Sequence, residues 1–112
     1  MVSGNKATID PEAKNLTLVN VYEVESGRQA ELVAALSEAT ESTIRHQPGF
    51  LSVSIHSSLD GKKVVNYAQW ASKEHFEGFI KKPETQEQLK TFAGLAKSVA
   101  PGLYRVDAVH AQ

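Results

Sequence analysis

The sequence predicts a single α+β domain in which two helical regions cover one face of a four-stranded antiparallel sheet. Three observations carry this. The length, 112 residues, suits one hydrophobic core. Short runs with the two-residue apolar period of strands are separated by stretches with the helical period. Their order is strand, helix, strand, strand, helix, strand, and Asp60-Gly61 between two of the strands is a strong hairpin signal.

Residues 1–14 show no periodicity and contain Pro11, so they are expected to form a flexible leader ahead of a domain spanning 15–112. Asn15 to Val24, rich in Leu, Val, Thr and Tyr, reads as the first strand. Ser26-Gly27-Arg28-Gln29 resembles a capping box with Ser26 as N-cap. The helix that follows, to about His46, places Leu32, Val33, Leu36, Ala39, Thr43 and Ile44 on one stripe, and Pro48-Gly49 ends it. Phe50 to Ser58 and Lys62 to Trp70 are the second and third strands. Ser72 caps a helix carrying Phe76, Phe79 and Ile80. Pro83 interrupts it, and a second segment carries Leu89, Phe92, Leu95, Ala96 and Val99. Pro101-Gly102 is expected to close that segment, leaving Leu103 to His110 as the last strand.

This order fits the ferredoxin-like βαββαβ arrangement. Right-handed crossovers then set the first and third strands side by side, making Asn20 a cross-strand neighbour of Asn66. Alternation collects Val19, Val21, Leu51, Val53, Ile55, Val65, Tyr67, Val106 and Ala108 on one face. The other face collects Leu18, Asn20, Ser52, Ser54, His56, Asn66, Ala68, Trp70, Arg105 and Asp107. Helices cover only one face, and an aliphatic face left in water is rare in monomers. The aliphatic face is therefore assigned to a second copy of the chain, and the mixed face to the space beneath the helices.

Composition narrows the chemistry. Lysine and arginine number 12 against 13 acidic residues, a formal net charge of −1, which argues against nucleic acid or an anionic membrane as partner. No apolar run approaches the roughly 20 residues that cross a bilayer. Met1 to Asp10 is polar, without the apolar core of a secretion signal, so a cytoplasmic location is expected. With no cysteine, disulfides, thiolate nucleophiles and iron–sulfur centres are excluded. His46, His56, His75 and His110 lack metal-binding spacing, and the glycines form no phosphate cradle. No cofactor is expected.

The candidate site lies on the third strand. Asn66, Ala68 and Trp70 point the same way, and a buried amide and indole N–H both need partners. Small residues beside them suggest an unfilled pocket, with Phe76, Phe79, Leu89 and Phe92 shaping its helical wall. His56 has the intrinsic pKa of a general base near neutrality, and Asp107 is an alternative if it faces the pocket. His46, His75 and His110 are expected to be solvated, as are Lys62-Lys63 and Lys81-Lys82.

Pro48-Gly49-Phe50, the strand to His56, Asp60-Gly61, and Val65-Asn66-Tyr67-Ala68-Gln69-Trp70 followed by Glu74 and Phe76 resemble the antibiotic biosynthesis monooxygenase family over roughly residues 15 to 110. The resemblance implies a dimeric α+β barrel of two ferredoxin-like subunits, each with a pocket between sheet and helices. It also implies an anthrone- or quinol-oxygenase-like activity, in which molecular oxygen oxidises an electron-rich aromatic without metal or flavin. The family's functional asparagines fall on Asn20 and Asn66, its tryptophan on Trp70, and a pocket histidine of some members on His56. Where other members use a tyrosine and an arginine, this chain has Phe76 and Lys90. Two other readings stay open. Related haem-degrading proteins carry a histidine about ten residues past the tryptophan, where this chain has Ile80; a non-catalytic dimer binding a small hydrophobic metabolite is the other.

Overall fold

The computed structural model describes residues 5–112. Its spine is the antiparallel pair of β1 (Leu16–Glu23) and β3 (Lys63–Trp70), with β2 (Phe50–Ser57) outside β3 and β4 (Ser98–Arg105) outside β1. The order β2-β3-β1-β4 is that of the ferredoxin-like fold expected, and the sheet is open rather than closed into a barrel. Helices α1 (Gln29–Ser42), α2 (Lys73–Ile80) and α3 (Pro83–Gly94) lie on one face. Asn20 stands directly opposite Asn66, as the topology predicts.

Three local features depart from expectation. In β2, Phe50 pairs with Trp70 but Ser52 pairs with Gln69, so Leu51 is an extra, bulged residue. A one-residue slip exchanges faces. Val53 and Ile55 thus turn toward the helices, opposite Ala68 and Asn66, while Ser52, Ser54 and His56 move to the far face with Gln69, Tyr67 and Val65. At the start of α1, Ser26 is not the cap; Gly27 takes φ +83 in a turn closed by Arg28 N–H to Glu25 O, and Arg28 becomes the N-cap. Gln29 instead ties the helix to the β2–β3 hairpin, its Nε2 donating to Ser58 O and Lys63 O, each at 2.9 Å.

The third departure is β4. Pro101-Gly102 lies inside the strand, opposite Asn20 and Val19, which an edge strand tolerates because no further ladder needs the missing N–H. Val99 therefore belongs to β4, and Val106 to His110 lie beyond it. Asp107 is exposed and pairs with Arg105 at 3.1 Å, so it takes no part in a pocket. Other signals act as read. Ser72 Oγ accepts from His75 N–H to cap α2, and Pro83 occupies the first turn of α3, where its missing N–H costs nothing.

The core is split in two. Tyr22, Val24, Leu32, Leu36, Val64 and Phe92 pack at one end, and Ala68, Trp70, Phe76 and Phe79 at the other. Each large apolar side chain so buried contributes on the order of 1.5–3 kcal/mol. On the far face, Gln69 Nε2 donates to Thr8 O at 3.1 Å and to Ser52 Oγ at 3.2 Å. Part of the leader is thereby held against the sheet, on the side away from the helices.

Candidate active site

Between the two core clusters the helices stand off the sheet, leaving a cavity of about 630 Å³. Its floor is the helix-facing side of β1 and β3, and Val99, Pro101 and Leu103 of β4 close one edge. All four expected wall residues, Phe76, Phe79, Leu89 and Phe92, line it.

The floor is polar at its centre. Asn20 and Asn66 both line the cavity; Asn20 is 8% exposed, and the Oδ1 of each is buried without a hydrogen-bond partner among the described residues. Buried acceptors are almost always satisfied, so two orphans side by side are expected where a guest completes the bonding. Cross-strand partners have Cβ atoms about 5 Å apart, within reach of a single aromatic ligand.

Trp70 also lines the cavity but is packed more tightly than expected. It stacks on Phe79 with centroids 4.8 Å apart, and Phe50 and Phe76 meet it edge-on at 5.8 and 6.0 Å. One ring face is therefore taken by Phe79. The indole acts as a rigid wall rather than a free stacking platform for a substrate.

His56 is a correction. The β2 bulge places it on the opposite face of the sheet, exposed and paired with Val65, so the sheet separates it from the cavity. His75 is engaged with Ser72, Nδ1 to Oγ 2.7 Å. Among the described residues lining the cavity, only Tyr22 and Lys90 titrate; none is a histidine or a carboxylate. Lys90 is largely exposed at the rim, with Glu87 at 3.6 Å.

Tyr22 escaped the sequence reading, although alternation along β1 puts it on the face of Asn20. Burial pushes its phenol up to about 12, a rise that the neighbouring Asn20 side chain offsets in part. Thr85 of α3, buried in the cavity wall, was missed as well, because a threonine on an amphipathic helix carries no signal of its own. No cluster of three His, Cys, Asp or Glu able to hold a metal occurs among the described residues.

Comparison with known proteins agrees with this architecture. The chain is 48% identical over 80 residues to tetracenomycin-F1 monooxygenase of Streptomyces glaucescens, covering 71% of each chain. Among solved structures, a monooxygenase from the gene ActVA-Orf6 of Streptomyces coelicolor, in complex with nanaomycin D, superposes with a TM-score of 0.83 at 25% identity, covering 99% of each chain. SnoaB, a cofactor-independent oxygenase from Streptomyces nogalater, shares the fold with a TM-score of 0.76 at 22% identity, covering 86% of this chain and 96% of its own. The family model for antibiotic biosynthesis monooxygenase matches residues 15–91. The chain belongs to the antibiotic biosynthesis monooxygenase family and is an enzyme of the monooxygenase class.

Proposed function

We propose that the protein is a cofactor-independent monooxygenase that oxidises an electron-rich aromatic, an anthrone, quinol or polyketide-like phenol, with molecular oxygen. The observation that carries this reading is the apolar cavity whose floor bears two unpartnered carboxamide oxygens. Asn20 Oδ1 and Asn66 Oδ1 accept hydrogen bonds from substrate hydroxyls and fix the ring on the sheet. Ground-state oxygen reacts with such a ring once it has lost a proton, because the anion gives up an electron readily. Electron transfer and recombination form a carbon–oxygen bond and a peroxide. Protonation gives the hydroperoxide, which loses water as the adjacent C–H bond breaks. A methylene and one dioxygen thus become a carbonyl and one water.

The protein's work is burial, orientation and stabilisation of negative charge by fixed dipoles in a water-poor space. With no imidazole or carboxylate among the described wall residues, the substrate must itself be acidic, as ring hydroxyls conjugated to a carbonyl are. The relatives support this choice, since the curated relative is a monooxygenase of tetracenomycin F1 and the Streptomyces coelicolor structure holds nanaomycin D. The same wall speaks against haem degradation, for Ile80 lines it and, among the described residues, no histidine does. A homodimer through the far sheet face is part of the proposal. Val19, Val21, Val65 and Tyr67 form an apolar strip there, which a second sheet would cover to make the two-subunit barrel.

The test is oxygen uptake by purified, chelator-treated protein across a panel of anthrones and quinols. One dioxygen consumed per carbonyl formed, with labelled oxygen entering that carbonyl, is expected. Uptake with no member of the panel overturns the reading.

A further inference from the structure

Among the described residues, Tyr22 is the one titratable side chain buried in the cavity that the proposed reaction leaves unused. It follows Asn20 by two residues on β1, so both project onto the cavity floor. As filler against Leu32, Leu36 and Phe92, a phenylalanine would serve as well without a hydroxyl to desolvate. The hydroxyl is instead placed among polar groups. The Asn20 side chain lies beside the phenol and favours its charged form, against the larger effect of burial. Asn20 Oδ1 has no partner among the described residues, so the phenol O–H does not donate to it and is left for a guest in the cavity that Tyr22 lines.

We propose that Tyr22 is a further catalytic residue, its phenol O–H donating a hydrogen bond to the substrate oxygen that becomes negative when the bound ring ionises. The proposal rests on the oxygenase reading of the cavity. In this step the substrate O–H bond breaks, its electron pair stays on the substrate oxygen, and the proton leaves to water at the cavity mouth. Tyr22 keeps its proton throughout, as burial requires of it near neutral pH. A neutral donor in a water-poor cavity favours the anion over the parent phenol, which is the differential stabilisation that raises the rate.

The probe is 1,8-dihydroxyanthraquinone, already oxidised and inert to oxygen, whose colour reports its ionisation. Bound to the wild type, it should ionise about one pH unit below the free dye, a tenfold shift. Tyr22→Phe should abolish most of that shift and lower kcat by about 10- to 100-fold, with KM changed less than about threefold. A Tyr22→Phe protein retaining both the dye shift and wild-type kcat overturns the proposal, and so does a wild type that binds the dye without shifting it. If Tyr22→Phe does not fold, 3-fluorotyrosine incorporated in a Tyr67→Phe, Tyr104→Phe background supplies a more acidic donor. It should enlarge the shift, and an unchanged shift again overturns the proposal. The two failures separate cleanly. A dye shift lost in Tyr22→Phe, without oxygen uptake by the wild type, supports the donor and removes the oxygenase; uptake with no effect of Tyr22→Phe removes the donor alone.

Discussion

Asn20 and Asn66 face each other across β1 and β3, and neither carboxamide oxygen has a hydrogen-bond partner. An unsatisfied buried acceptor costs on the order of 1–3 kcal/mol, so the pair is a local defect that the fold carries without structural return. Replacing Asn66 with alanine should therefore leave the denaturant midpoint unchanged or raised, whereas Asn20→Ala, which also takes away the neighbour of the Tyr22 phenol, should cost at most about 1 kcal/mol. Turnover should fall about 100-fold, in the range for a bound ring that loses one of the acceptors fixing its position. Parallel denaturant melts and oxygen-uptake assays of Asn20→Ala and Asn66→Ala check both halves. A large loss of stability would mark the asparagines as structural.

Trp70 couples activity to packing, because Phe79, Phe50 and Phe76 all rest against its indole. Trp70→Phe keeps an aromatic ring but removes the N–H and leaves a gap between those rings. It should lower kcat at least tenfold, because the wall that orients the bound ring shifts, while costing only about 1–2 kcal/mol of stability. Trp70→Ala should cost about 3–5 kcal/mol. Rates normalised to folded protein, measured by near-ultraviolet circular dichroism, separate the two effects.

How much of this was legible depended on what each signal encodes. The opposition of Asn20 and Asn66 follows from element order alone, since a split βαββαβ chain must place its first and third strands together. The helix-borne walls, Phe76, Phe79, Leu89 and Phe92, follow from helical period. His56 was misplaced because the bulge at Leu51 inserts one residue with no turn chemistry to announce it, and every later side chain in β2 changes face. The last strand was misplaced because Pro101-Gly102 reads as a stop, whereas on a sheet edge it is a permitted pair.

The bulge has a direct functional consequence. His56 lies on the far side of the sheet from the cavity, so its imidazole cannot reach a guest there. His56→Ala should keep kcat and KM within about twofold of wild type in the same oxygen-uptake assay. A drop of tenfold or more would mean that the far face takes part in the reaction.

Tyr22 gives a pH signature independent of activity. Burial pushes its folded pKa up to about 12, above the ordinary phenol value of 10.0. Below pH 10 the phenol is protonated in both states, and its contribution to stability is fully present. Between about 10 and 12 the unfolded chain releases a proton that the folded chain retains, so stability falls as pH rises. Two pH units correspond to about 3 kcal/mol. Urea melts from pH 8 to 12 should show wild type losing about that much more stability than Tyr22→Phe, with other alkaline titrations common to both.

Gly49 tests the junction that orients α2 beneath the cavity. It has φ +82, a left-handed conformation that glycine adopts freely, and the His75 ring fills the space a Cβ would need. His75 cannot simply swing aside, because its backbone N–H and Nδ1 both engage Ser72 Oγ at the α2 N-cap. Gly49→Ala should therefore lose about 1–2 kcal/mol to the backbone conformation and about 1 kcal/mol more through the displaced cap. Trimming the ring separates the two. In a His75→Gly background, which also removes the Cβ that crowds the site, the steric part vanishes, and Gly49→Ala should cost only the backbone share, a coupling of about 1 kcal/mol in a double-mutant cycle of urea midpoints. Strict additivity would show that the ring and the glycine do not constrain each other.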